Sequence, residues 1–135
     1  MNSYKCEHTI EKCSTVSFDV FDTLVCRCVG APSAVFERME NELCRKYGVV
    51  YEGFAGRRIQ AEADARAASS FEEITIDEIY RKLDIKEREL VKEFEKQIEI
   101  ELSEPNTGIK EVYEACINKG KRVVICSDMY LDRDR

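Results

Sequence analysis

The sequence predicts an α/β fold, a parallel sheet left incomplete in this chain and interrupted by an inserted helical subdomain. Three observations lead there. Residues 16–20, Val-Ser-Phe-Asp-Val, have the β-branched and aromatic make-up of a short strand behind a polar lead-in. Residues 122–126, Arg-Val-Val-Ile-Cys, form a continuous apolar run of the kind found in a buried parallel strand. Between them lies far more chain than the roughly 30 residues of a plain right-handed βαβ crossover. The excess between Val25 and Glu104 is therefore read as an insertion.

The elements follow in order. Val35, Phe36, Met39, Leu43 and Tyr47 recur at helical spacing, with Pro32 and Ser33 near the start and Gly48 just past the end. An alanine-rich, weakly amphipathic helix is expected over Phe54 to Ala68. Thr75 and Glu78 have capping-box spacing, and Ile76, Ile79, Tyr80 and Leu83 continue as a short helix. Asp84 is the expected cap of the next helix, whose apolar stripe is Leu90, Val91, Phe94, Ile98 and Leu102. The charged run from Lys86 to Lys96 reads as a solvated face carrying i,i+4 pairs. Glu104-Pro105-Asn106 breaks that helix, and Thr107 opens another with Ile109, Val112, Tyr113, Cys116 and Ile117 on one face and Gly120 at its end. The stretch from Met129 to Arg135 is too short for a further element. The resulting division is 1–27 and 104–135 for the partial sheet core and 28–103 for the helical insert.

Composition narrows the function classes. In a chain of 135 residues, 44% hydrophobic and 36% charged residues suit one globular domain with an insertion and argue against wholesale disorder. A net charge of -6 disfavours nucleic acid as a partner, because phosphate binding draws on clustered Lys and Arg. No stretch approaches the roughly 20 apolar residues needed to cross a bilayer. The N-terminus MNSYKCEHTIEKCS lacks the apolar core of a secretory signal, so the expected compartment is the cytoplasm. Seven cysteines, without paired C-x-x-C spacing, are read there as reduced structural thiols, Cys116 and Cys126 on helix and strand faces. One histidine, His8, is expected at the surface, which leaves a Cys/His zinc site short of ligands.

In an open parallel sheet, ligands bind beyond the carboxyl ends of the strands. Asp19 and Ser127 both fall at or just beyond such an end. If the two strands are neighbours, a carboxylate able to attack phosphorus or carbon would face a hydroxyl able to hold phosphoryl oxygens.

The segment SFDVFDTLV is similar to the first motif of haloacid dehalogenase-like (HAD) hydrolases, in which a strand ends in Asp-x-Asp-x-Thr followed by Leu or Val. VVICSDMY resembles the second motif, an apolar strand ending in Ser or Thr. The resemblance implies a HAD-like Rossmannoid sheet with the insert as a helical cap that covers the site and selects substrates. It implies Asp19 as nucleophile and Mg²⁺ ligand, the backbone carbonyl of Phe21 as a second metal ligand, Thr23 supporting the loop, and Ser127 on the phosphoryl oxygens. Asp128 is a further candidate, for orienting substrate or capping the following turn. SFDVFDTLVCR also resembles HAD modules found beside glycosyltransferases of surface-polysaccharide synthesis, which suggests a small phosphorylated metabolite such as a sugar phosphate.

Two departures bear on activity. The usual acid/base aspartate, two residues after the nucleophile, is here Phe21. Asp22, one residue further on, is the candidate to replace it if the loop is rearranged, against a turn-capping role. The family's third and fourth motifs lie downstream of the second. Arg133 and Arg135 stand too close to Ser127 for the third, and Asp132 and Asp134 lack a preceding strand for the fourth. The expectation is a truncated product that self-associates through its incomplete sheet. Three functions remain open: a Mg²⁺-dependent phosphohydrolase working through an aspartyl-phosphate, dehalogenase or phosphonatase chemistry on the same aspartate, and a non-catalytic binding module. Arg27 is weighed as a contact for an anionic substrate against a solvated role.

Overall fold

The computed structural model describes residues 3–131, with side chains from His8 onward. Asp132, Asp134, Arg133 and Arg135, weighed above for the downstream motifs, and the Cys6 side chain lie outside the described residues. The fold is mixed α/β, with six helices and two small two-stranded sheets among those residues, one parallel and one antiparallel. By its internal contacts the chain divides into two compact units.

The first unit holds the chain up to Arg27 together with Ser103–Ser127. It begins with helix α1 (Ser3–Lys12), which the hydrophobic pattern did not single out, and His8 on it is exposed. Strand β1 (Thr15–Asp19) and strand β4 (Arg122–Cys126) pair in parallel, in a register that sets Phe18 beside Ile125 and Asp19 beside Cys126. Two further strands, β2 (Val25–Arg27) and β3 (Ser103–Pro105), pair antiparallel. Both were invisible in the sequence, because three residues carry no alternation to read. Pro105, expected only as a helix breaker, ends β3 at a position where a missing N–H does least harm.

Helix α6 (Thr107–Asn118) returns to β4. It is capped by Asn106, whose side chain accepts from Gly108 N–H at 3.1 Å, and it ends beside Gly120 at φ 65°. Tyr113 on this helix meets Phe18 edge-on, with ring centroids 5.6 Å apart, and Cys116 is fully buried. The expectation of a buried strand at 122–126 is corrected. β4 pairs in parallel as read, yet Ile125 is 55% exposed and Cys126 is exposed too. Parallel sheets bury both faces by stacking helices on each. In this unit α6 lays Tyr113 against Phe18, while the end of β4 at Ile125 and Cys126 stays open.

The second unit holds Cys28–Leu102 and the segment after Ser127. Its helices are α2 (Ala34–Tyr47), α3 (Phe54–Ala68), α4 (Ile76–Arg81) and α5 (Arg88–Glu101). Gly48 ends α2 in the left-handed region at φ 64°, with its N–H returned to the carbonyl of Cys44. The Thr75–Glu78 capping box forms in both directions. Val35, Met39, Leu43, Phe54, Ile76, Ile79, Val91 and Ile98 make the core. Tyr47, expected on the stripe of α2, is nearly half exposed but sets its ring edge-on to Phe94.

Asp84 does not cap α5. The chain stays non-helical until Glu87, and Leu83 and Ile85 are both buried in that stretch. Leu90 consequently falls in the first turn of α5 and is 40% exposed.

The charged run on α5 is corrected as well. Lys92 and Glu95 are buried within it, and the pairs Lys92–Glu89 and Lys96–Glu93 are spaced i,i+3. Lys92 also reaches Asp77 of α4 at 2.6 Å. That bond holds the Asp77 carboxyl below the usual carboxylate range and raises the Lys92 ammonium.

Glu95 is wholly buried and forms a two-point pair with the equally buried Arg58 of α3, at 2.8 and 2.7 Å. Tyr80 donates to the same carboxylate at 2.5 Å. The Arg58 guanidinium lies 4.6 Å from the centroid of Phe36 and 4.9 Å from that of Tyr130, and its third nitrogen reaches Glu62. Burial alone lowers an arginine's pKa, but the hydrogen bonds and charge of Glu95 reverse this and raise it. Tyr130 also accepts Ile76 N–H on its backbone carbonyl at 2.9 Å. Tyr130 thereby ties residues 128–131 to the helices.

Candidate functional site

The candidate site is built on the loop that follows β1. Asp19 closes the strand and is exposed. Directly after it the chain turns tightly: the carbonyl of Val20 accepts the N–H groups of Thr23, Leu24 and Val25 at 3.3, 2.8 and 3.0 Å. Such a turn needs one residue in the left-handed region, and Asp22 takes it at φ 57°. Aspartate tolerates this conformation better than most residues, since its short polar side chain can bond locally. The turn carries the Thr23 hydroxyl back onto the nucleophile candidate, where Oγ1 donates to Asp19 Oδ2 at 3.4 Å.

The loop is fixed from outside by Asn106. Its Nδ2 donates to the carbonyl of Thr23 at 2.8 Å, and its backbone N–H donates to the carbonyl of Leu24 at 2.8 Å. The same side chain caps α6 through Oδ1, so one residue joins the helix start to the Asp19 loop. In the sequence Asn106 stands out only as part of a helix breaker. Its N-cap position before Thr-Gly was the signal that could have marked it.

Phe21 is half-buried and bridges to Val25 through the backbone. Its ring lies under the Arg27 guanidinium, whose central carbon is 4.2 Å from the ring centroid. A cation over an aromatic face at this range is attracted by the ring quadrupole. Arg27 is thus drawn toward the loop as well as being set in β2 opposite Ser103.

The sheet brings Asp19 next to Cys126, which puts Ser127, exposed, one residue beyond the end of the neighbouring strand. The neighbourhood of the two strands, conditional in the sequence, is thus present. Asp19 and Thr23 are in contact. Asp22 is exposed in the turn. Asp128, also exposed, belongs by its contacts to the helical unit.

Among the described residues no group of three or more His, Cys, Asp or Glu side chains is gathered for a metal ion. No helix among them is long and apolar enough to cross a membrane. No model of a known protein family matches the chain, and no curated protein matches it.

Proposed function

We propose that this chain carries the nucleophile half of a HAD-like phosphohydrolase site, acting on a small phosphorylated metabolite through an aspartyl-phosphate on Asp19. The observation that carries the reading is the parallel pairing of β1 with β4. It sets a strand-terminal carboxylate beside a strand that leads into Ser127, the arrangement in which α/β sheets bind ligands.

The local geometry supports the following roles. Thr23 holds one oxygen of Asp19, which orients the other toward phosphorus. Ser127 and the backbone N–H groups beyond β4 receive the phosphoryl oxygens. The donors suit Mg²⁺ in kind, for the Asp19 carboxylate and the Phe21 carbonyl are hard oxygens, and Mg²⁺ keeps several waters and binds through few protein ligands plus substrate phosphate. When bound, it neutralises charge on the transferring group. A sugar phosphate is the substrate suggested by the resemblance to polysaccharide-associated modules, and the helical unit then acts as the cap.

The test is phosphatase activity together with BeF₃⁻ binding, read by ¹⁹F NMR in the presence of Mg²⁺, for the chain and for Asp19→Asn. Turnover and a bound BeF₃⁻ signal, both lost in Asp19→Asn, are the expected results. Absence of both in the unmodified chain refutes the reading and favours a non-catalytic module. Halide release that persists without Mg²⁺ points instead to dehalogenase chemistry.

A further inference from the structure

We infer that the substrate of the Asp19 site is a phosphoryl donor whose leaving oxygen departs as an anion, such as a phosphoanhydride, acyl phosphate or aryl phosphate, with Arg27 as the cation held beside it. This rests on the phosphohydrolase reading above but departs from the sugar phosphate suggested there, an alkyl ester whose leaving oxygen needs a proton. Phe21 stands two residues past the nucleophile, and its ring is occupied by the Arg27 guanidinium at 4.2 Å. Neither side chain delivers a proton: one is a hydrocarbon, and arginine remains charged throughout the range in which proteins work.

The pair is held in place rather than free at the surface. Arg27 sits in β2, paired to Ser103, and Phe21 bridges to Val25 at the other end of that strand, so backbone bonds fix both partners. Both residues are half-buried. Asp22, the nearest carboxyl in sequence, occupies the left-handed turn position and is exposed. The chain's one histidine, His8, is on α1 and exposed.

Chemistry then selects the donor. An Asp19 oxygen forms a bond to phosphorus as the bond from phosphorus to the leaving oxygen breaks, and that bond's electron pair stays on the leaving oxygen. Water next attacks phosphorus, the bond to Asp19 breaks with its electrons returning to the carboxylate, and a water proton passes to solvent. An alcohol ionises far above neutral, much as water does, so it leaves poorly unless protonated. A carboxylic acid near 4, a phosphate near 6 or a phenol near 10 leaves as the anion at far lower cost. A fixed guanidinium beside the departing oxygen stabilises that anion without supplying a proton.

The experiment measures turnover by the full chain, with Mg²⁺, of acetyl phosphate, a graded series of aryl phosphates and an alkyl phosphate such as glucose 6-phosphate. Rates should fall steeply as the leaving group becomes less acidic. The alkyl ester should trail by about 10²–10⁴-fold, the contribution a positioned general acid ordinarily makes. Arg27→Ala should slow aryl and acyl substrates about tenfold or more, with Arg27→Lys recovering part of the loss. Phe21→Asp should raise the alkyl rate relative to the aryl rate. Similar rates across the series overturn the inference, as does a selective loss of alkyl turnover in Asp22→Asn, which marks Asp22 as the proton donor. In both cases aryl turnover that depends on Asp19 leaves the phosphohydrolase reading standing. No turnover of any substrate and no BeF₃⁻ binding removes both.

Discussion

Removing the carboxylate of Glu95 should be among the most damaging single changes in the helical unit. That carboxylate accepts two bonds from Arg58, at 2.8 and 2.7 Å, and one from Tyr80 at 2.5 Å, and neither Arg58 nor Glu95 has measurable exposure to solvent. In Glu95→Ala the guanidinium stays buried with Glu62 as its remaining carboxylate partner, at 3.2 Å. Breaking a buried pair by deleting one partner costs about 3–5 kcal/mol, because the other charge is left uncompensated. Stabilities of natural domains lie at about 5–15 kcal/mol, so the loss is a large share of the whole.

Urea denaturation followed by circular dichroism reads it out. With a slope of about 2 kcal/mol per molar urea, the midpoint should fall by roughly 1.5–2.5 M. The double variant Arg58→Met with Glu95→Leu should recover most of this, since replacing both charges by apolar groups of similar volume is often neutral. Tyr80 then keeps only its long bond to the Val91 carbonyl, at 3.4 Å. The cycle of single and double variants should show a coupling of at least about 2 kcal/mol. A loss below about 1 kcal/mol in Glu95→Ala, or a double variant as damaged as the sum of its singles, refutes the reasoning.

Three further outcomes follow from the same kind of argument. Asn106→Ala should lower stability by about 1–2 kcal/mol through loss of the α6 cap and of the bond to Thr23, and should reduce BeF₃⁻ affinity at Asp19, whereas Asn106→Asp should keep the cap and lose the affinity. Thr75→Ala should cost about 1 kcal/mol by opening the capping box, read as a lowered thermal midpoint with unchanged helix content below it. Acid should weaken the helical unit. Asp77, bonded to Lys92, and Glu78, bonded to the Thr75 N–H, both have lowered pKa values. Their contribution is complete above the ordinary carboxylate values near 4 and is lost as pH falls through the lowered folded values. A titration of Asp77→Asn should show a flatter acid limb than the unmodified chain. An identical limb counts against the Lys92 pairing as its source.

Apart from α1, the helices were legible because their signals are local. Phe54–Ala68 was expected with the bounds it has, and Gly48 and the Thr75–Glu78 box mark ends that a few residues decide among themselves. The positions of Asp19 and Ser127 at strand ends were legible too, whereas Thr23 entered through the resemblance alone. The register that joins their strands was not, since β1 and β4 meet across most of the chain. Nor was the hold of Asn106 on the Thr23 carbonyl, 83 residues away.

The Asp84 cap failed because Leu83 and Ile85 are drawn into the core, a demand that outweighs a local capping preference. Glu95 belonged to a run read as a solvated face, and nothing in its own helix singled out Arg58. They are buried because each has its partner 37 residues distant, and only with both in place is the cost of desolvation offset. The stack of Arg27 on Phe21 has the same character. The sequence placed a phenylalanine where a proton donor was expected, while the turn after Asp19 and the pairing of β2 with β3 decided what lies over it. Periodicity, caps and turns are properties of neighbours along the chain. Register, buried charge and the cover over a ring belong to neighbours in space.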